Sequence, residues 1–314
     1  MFRSEAGEVS HNAALAWVES PLQLIGAAEW AAANSVEVPV AGRLTAQMSE
    51  TADALVARGA FFATLEPYLG IPWQLLARHS HWLIGDGFSG QFRLAASILR
   101  PRRITFLDDG ANTRAFADVL LGRRPFARPG VDERGMTTRL VPFALHRIHT
   151  RARAHTVDFF TAFELGELRL TELADRGMGV RRHAFEWTRR TAPDPDLPSA
   201  RLVLGSARPV DGRMSLDDYL GWVAGHASAG AVTYLPHRRE PATQLAAVTA
   251  IENVTVSRLA LPVELVLAGT RRPLQILTLP SSITTTLPLV LDGTGSVVHI
   301  GDASDTTALT ERDR

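Results

Sequence analysis

AALAWVESPLQLIGAAEWAAAN, residues 13–34, decides the fold class. Ala13 to Val18 is an unbroken apolar run of strand length, and Leu22 to Asn34 is a helical stretch. Between them Ser20 suits a helix N-cap and Pro21 the first helical position, so the boundary is signalled by two adjacent residues. The same unit recurs outward along the chain. Val36 to Val40 reads as a second strand and Thr45 to Gly59 as a polar-faced helix. His81 to Ile84 (HWLI) is a third strand, ending in Gly85-Asp86-Gly87 and followed by a helix from Ser89 to Leu99. Ile104 to Leu107 then leads into Asp108-Asp109-Gly110. Strand, turn and helix in steady alternation predict an α/β doubly wound sheet.

Residues 123–155 break that rhythm with eight Arg and three His against Asp132 and Glu133, a net +6 with the His neutral. One reading is a solvated helical surface. The other is a site for anionic headgroups or an anionic acceptor chain. Three Pro in Thr191 to Ser199 then mark a linker. After it the alternation restarts with strand Arg201 to Leu204, helix Leu216 to His226 and strand Ala231 to Leu235. Leu261 to Leu267, Gln275 to Leu279 and Ser296 to Ile300 are further expected strands. The chain thus reads as two α/β domains, residues 1–192 and 193–314, with a polar tail from Asp302 to Arg314.

Composition narrows the function. All 33 basic residues are Arg and balance 33 acids, for zero net charge, which argues against a nucleic-acid binder. Cys is absent, excluding disulfides, Cys-ligated zinc or iron–sulfur clusters and a thiol nucleophile. MFRSEAGEVS at the start lacks a signal-peptide apolar core, and no apolar window reaches about 18 residues. The expectation is a cytoplasmic protein, with peripheral contact at the inner face of the cell membrane through 123–155.

In open parallel sheets, ligands bind beyond the carboxyl ends of strands. Four short motifs are expected there: Asp86 within GDG, Asp108-Asp109-Gly110, His237 within YLPHRRE, and Ser281-Ser282 within LPSSITTTL. Each has a plain reading beside the chemical one. Asp-Asp-Gly makes a turn, a single His packs as a structural histidine, Asp86 caps the next helix, and Pro-Ser-Ser caps another. Chemically, the carboxylates offer a general base, the His a donor or acid, and the Ser hydroxyls with helix N–H groups an anion seat.

Taken in chain order, these motifs resemble those of the bacterial sialyltransferases and polysialyltransferases that use CMP-activated sugars, glycosyltransferase families 52 and 38. Those families share an acidic-acidic-Gly motif, a His-Pro motif and a Ser-Ser motif in that sequence. Ser20 to Leu24 after the first strand and Leu202 to Gly205 opening the second half are also similar. Glu264 lies 27 residues after His237 and 17 before Ser281, where the families place a ribose-holding Glu. The chain departs from the pattern at His237-Arg238, which stands where the families have His-Pro, with Pro236 before the His.

The resemblance implies a GT-B fold, two Rossmann-like doubly wound domains facing across a cleft, and an inverting, metal-independent transferase. The CMP-sugar (sialic acid, Kdo or a related nonulosonate) is a co-substrate, with a surface glycan as acceptor and no cofactor. In that scheme Asp109, with Asp108 as second candidate, takes the acceptor proton, and His237 assists departure of CMP. Ser281, Ser282, Arg238 and Gly205 bind the donor phosphate side and Glu264 the ribose, while Asp86 and Ser20 shape the acceptor side. A homodimer is compatible with the scheme. The alternatives are a GT-B transferase with another nucleotide, a metal-dependent one in which Asp108 and Asp109 ligate a cation, and a relative that binds nucleotide or glycan without turnover.

Overall fold

A computed structural model of the chain describes residues 14–131 and 135–301. The tail expected from Asp302 to Arg314 lies outside these, as do residues 132–134 of the basic stretch. The contact pattern divides the chain after Trp187 into two compact units.

Unit 1 holds a seven-stranded sheet of β1 (Ala14–Val18), β2 (Val38–Arg43), β3 (Phe62–Tyr68), β4 (His81–Ile84), β5 (Arg103–Phe106), β6 (Val157–Thr161) and β7 (Met178–Arg182). Its order is β3-β2-β1-β4-β5-β6-β7 and every pairing is parallel. This is the doubly wound order, and the direction of winding reverses between β1 and β4. The helix Pro21–Asn34 starts as the sequence predicts. Ser20 accepts from the Gln23 amide, and the Gln23 side chain closes a capping box onto the backbone of Ser20. Three strands have no clear local signature. β3 is a largely exposed edge containing Glu66 and Pro67, and an edge is where a strand tolerates Pro. β6 and β7 follow the basic stretch, part of which forms the helix Val141–Ala152.

Unit 2 holds β8 (Arg201–Leu204), β9 (Val232–Leu235), β10 (Val254–Val256), β11 (Gln275–Thr278) and β12 (Val297–Ile300), all parallel in the order β10-β9-β8-β11-β12. Winding reverses between β8 and β11. Alternate residues of β8 serve the two faces of the sheet. Val203 packs with Tyr219, Trp222 and Tyr234, and Leu202 and Leu204 pack with Leu267, Ile276 and Leu287. The expected strand Leu261 to Leu267 is instead a short helix, Val263–Leu267, with Pro262 at its N-cap. The seven residues, apolar apart from Glu264, fit either state by periodicity, and Pro262, which has no N–H to give a strand ladder, stands at the N-cap instead. The Pro-rich segment is held against unit 2: Arg271 donates its amide to Asp194 (3.2 Å) and Arg272 bonds the Leu197 carbonyl.

Both units are therefore Rossmann-like, and each has its ligand-competent edge at the carboxyl ends of the strands flanking its reversal point.

Candidate functional site

The turns after β1, β4 and β5 meet at the reversal point of unit 1. Gly85 leaves room there: a Cβ on it would stand 2.3 Å from Gln23 Oε1. Gln23, 1% exposed, uses Oε1 to accept the Glu19 amide (2.7 Å) and aims Nε2 at Asp109 Oδ1 (2.8 Å). Asp109 Oδ2 accepts from Asn112 Nδ2 (3.0 Å) and Arg128 (3.2 Å). The other arm of Arg128 bonds Asp86, whose second oxygen accepts the Phe88 amide at 2.8 Å. One guanidinium thus bridges two carboxylates.

Burial, followed by the charge of Asp109, pushes the Asp86 carboxyl up to about 7, against the pull of Arg128. Burial likewise raises Asp109, with Arg128, Asn112 and Gln23 opposing it. A carboxylate raised toward neutral pH is suited to take a proton there. The cluster rests on packed aromatics. Phe116 meets Phe88, Phe106 and Phe126 edge-on, and a Cβ at Gly87 would stand 2.6 Å from its ring.

Asp108 faces another way. It is 2% exposed, and its Oδ1 accepts from Thr161 and Thr113 while Oδ2 accepts from the Ala162 amide (2.7 Å) and His183 Nε2 (3.2 Å). Those partners tie β5 to β6 and β7. The geometry favours Asp109, whose side chain is 19% exposed, over Asp108 as a base, and it does not present the two as one cation seat. Ser20 acts as the N-cap just described. Asp86 does not cap the next helix, which begins at Gly90 with Ser89 at its N-cap; its carboxylate instead accepts the Phe88 amide within the turn and shares the arginine. Arg123, also in the basic stretch, pairs with Glu172 (2.7 Å) and Asp118 (3.4 Å), so that stretch supplies internal ion pairs as well as surface charge.

In unit 2 the turns after β8, β9 and β11 carry Gly205, His237 and Ser281-Ser282. A Cβ at Gly205 would stand 2.4 Å from the His237 amide nitrogen and 2.0 Å from Glu240 Oε1, so the two turns close only around a glycine. Glu240 fixes the turn after β9. Its Oε1 accepts the His237 amide (2.7 Å) and its Oε2 the Tyr234 hydroxyl (2.8 Å). Tyr234 in turn pairs with Tyr219, which accepts the Ser206 amide at 3.1 Å. Burial pushes both phenols and the Glu240 carboxyl up.

His237 Nδ1 accepts from the Arg239 amide (3.2 Å), which places the ring proton on Nε2. Burial, then Arg239 and Arg238, lower its pKa, so it is a neutral hydrogen-bond donor at pH 7. Arg239 is held bidentately by Asp211 at 2.8 and 2.7 Å, and Arg238 is exposed beside it.

Ser281 and Ser282 are exposed at the start of the helix Ile283–Val290, and Ser282 makes no side-chain capping bond. Glu264 is 9% exposed and accepts from Thr286 of that same helix at 2.9 Å; burial raises its pKa. The structure thus brings Gly205 together with His237, and Glu264 with the helix that follows the Ser pair.

Sequence reasoning missed Gln23, Arg128, Glu240 and the two tyrosines. Gln23 had a local signal, three residues after Ser20, and Glu240 stands three residues after His237. Arg128 had none, because its partners lie 19 and 42 positions away.

No family model matches the chain, and no curated protein matches it. Seven chains of solved structures match, among them MurG from Acinetobacter baumannii, at 10% identity and a TM-score of 0.37, covering 96% of this chain and 90% of that one. The fold assignment rests on the strand orders above.

Proposed function

We propose that the chain is an inverting glycosyltransferase of GT-B type that moves sialic acid, or a related nonulosonate or Kdo, from a CMP-sugar to a glycan acceptor. The observation that carries the reading is placement. Ser20, Asp109, His237 and Ser281-Ser282, which carry the resemblance to the CMP-sugar families, each follow the carboxyl end of β1, β5, β9 or β11, and Asp86 follows that of β4.

In this reading unit 1 supplies the base. Asp109 takes the acceptor proton, its carboxylate aimed by Gln23 and Asn112 and its charge balanced by Arg128. Unit 2 holds the donor. His237 Nε2–H donates to the departing CMP phosphate, aided by the Ser281 and Ser282 hydroxyls and the helix N–H groups behind them. Glu264 accepts from the ribose hydroxyls and Arg238 adds positive charge near the phosphate. Attack on the face opposite CMP inverts the anomeric centre through an oxocarbenium-like state. A monophosphate leaves with less charge to neutralise than a diphosphate, so donors and dipoles serve without a metal.

A thermal-shift panel in EDTA, comparing CMP with UMP, UDP, CDP and ADP, tests the donor class. At 100 times its dissociation constant a ligand that binds only the folded chain stabilises by about 2.7 kcal/mol. Selective stabilisation by CMP that Ser282→Ala or Glu264→Gln removes is the expected result. No response to CMP, or a response to diphosphates only with metal, overturns it. Among the described residues no helix is long and apolar enough to cross a membrane. Contact with anionic lipid belongs to the proposal and is tested by vesicle binding after neutralising Arg151 and Arg153.

A further inference from the structure

His183 ends the polypeptide run that leaves β7, and it is nearly as buried as the core at 5% exposure. Its ring is clamped between Phe160, stacked at 4.7 Å between centroids, and Phe185, edge-on at 5.0 Å. Nε2 lies 3.2 Å from Asp108 Oδ2. With the carboxylate as acceptor Nε2 is the donor, and in that tautomer of the neutral ring Nδ1 carries a lone pair. That Nδ1 is shielded from solvent and has no hydrogen-bond partner. A buried imidazole nitrogen without a donor is costly to leave unsatisfied.

Two carboxylates converge on this ring. Glu29, from the helix Pro21–Asn34, is 2% exposed, and Glu186 opens the short helix that follows. One ligand atom from each of Glu29, His183 and Glu186 lies within 4.8 Å of the others. Since Nε2 is committed to Asp108, Nδ1 is the ring atom left to ligate. Both carboxylates are oriented by backbone: Glu29 Oε2 accepts the Trp187 amide (3.1 Å) and Glu186 Oε2 the Ala184 amide (2.9 Å). Phe185, between the His and the second Glu, sits at φ +58°, an uncommon conformation for a bulky residue.

The geometry points to a divalent transition-metal site of one imidazole and two carboxylates in unit 1, with Asp108 as the carboxylate that orients the ligating histidine. The arrangement of metal, histidine and hydrogen-bonded carboxylate is a recurring one, and the outer carboxylate fixes the tautomer and raises ligand basicity. An imidazole with two oxygens suits zinc or manganese better than calcium or magnesium. The cation would clamp the first helix to the end of β7. Its three ligands are not among the groups around Arg128, and its only tie to the residues weighed for catalysis is Asp108, so the inference stands whether or not the CMP-sugar reading does.

The test uses the full chain, stripped with a chelator and titrated with zinc and, separately, manganese against a chromophoric competitor. One equivalent of zinc should bind and raise the melting temperature. Glu186→Gln, a change at an exposed helix start, should weaken binding at least tenfold, and Asp108→Asn by about 10–100-fold. In chain labelled with nitrogen-15, zinc should shift the His183 Nδ1 resonance, a signature that mere packing of the cluster would not produce. Absence of stoichiometric binding of either metal overturns the site. So does binding that Glu186→Gln and Glu29→Gln leave unchanged, because the metal would then sit on other histidines.

Discussion

The reversal points of the two units reach near-neutral side chains by opposite routes. In unit 1, two carboxylates are buried together and one arginine, itself about a third exposed, compensates both. In unit 2, the single histidine is made neutral by burial and by neighbouring arginines, and its aim is set by an uncharged relay of two phenols onto Glu240. Desolvation drives both, raising acids and lowering the base. The difference is that charge balance is at stake in unit 1, whereas backbone fit is at stake in unit 2. Such an edge in unit 1 should respond to pH and to removal of charge, and one in unit 2 to changes of shape.

The largest expected effect tests whether both edges serve one reaction. General acid–base assistance is worth about 10²–10⁴-fold. Asp109→Asn and His237→Ala should each lower transfer from a CMP-sugar on that scale, with far-UV circular dichroism unchanged. Asp108→Asn should instead lower the melting temperature, because it strips partners from Thr161, Ala162 and His183. A chain in which Asp108→Asn alone abolished transfer at unchanged stability would reverse the assignment of the base.

The next effect sharpens the electrostatic half of the contrast. Asp86 has a folded-state value of about 7 against 3.8 ordinarily, so the native chain binds the extra proton in that window. Stability from this group is therefore complete below about pH 4 and is lost as pH rises through about 7. Asp86→Asn should flatten this slope in denaturant titrations run between pH 4 and 8. It should also leave the variant relatively more stable at the upper end. A parallel offset between the two curves at all pH values would mean that Asp86 is ionised throughout.

Shape is tested at Gly205. A methyl group there meets the Glu240 carboxylate, the His237 amide and the Leu235 carbonyl. Overpacking of this kind costs about 1–3 kcal/mol, so Gly205→Ala should lower the urea midpoint accordingly and, by displacing His237, weaken CMP binding.

How much of this could be read in advance follows from how local each cause is. β1, β4 and β8 and the capped start at Ser20 are written in adjacent residues, and the doubly wound class follows from the alternation they begin, while the strand order comes from the structure. Asp108 and Asp109 look alike in a sequence, because what separates them is the end of β6, some fifty residues on, which saturates one and not the other. β3 gives no strand signal in the sequence because edge strands bury little and admit Glu66 and Pro67. Leu261 to Leu267 reads as a strand because a short apolar run carries no decisive period. The arginine that unites Asp86 and Asp109 comes from a stretch whose composition suggests an outward-facing surface. Only the fold reveals that Arg128 turns inward.

The smallest effect separates two serines that occupy the same local position in the two units. Both precede a helix at the carboxyl side of a strand, and both are plausible N-caps by residue type. Ser20 has extended backbone and accepts from the Gln23 amide, whereas Ser282 has helical backbone and makes no capping bond. Replacing a used cap by Ala costs about 1 kcal/mol, while a surface serine outside any cap stays within about 0.5 kcal/mol. Ser20→Ala should therefore lower stability measurably and disturb Asp109 through Gln23, with no direct loss of nucleotide affinity. Ser282→Ala should leave the melting curve of the free chain in place and reduce only the shift that CMP produces. Equal losses of stability in the two variants would show that the Ser282 hydroxyl caps its helix in solution, and the pair could then no longer be assigned to the donor phosphate.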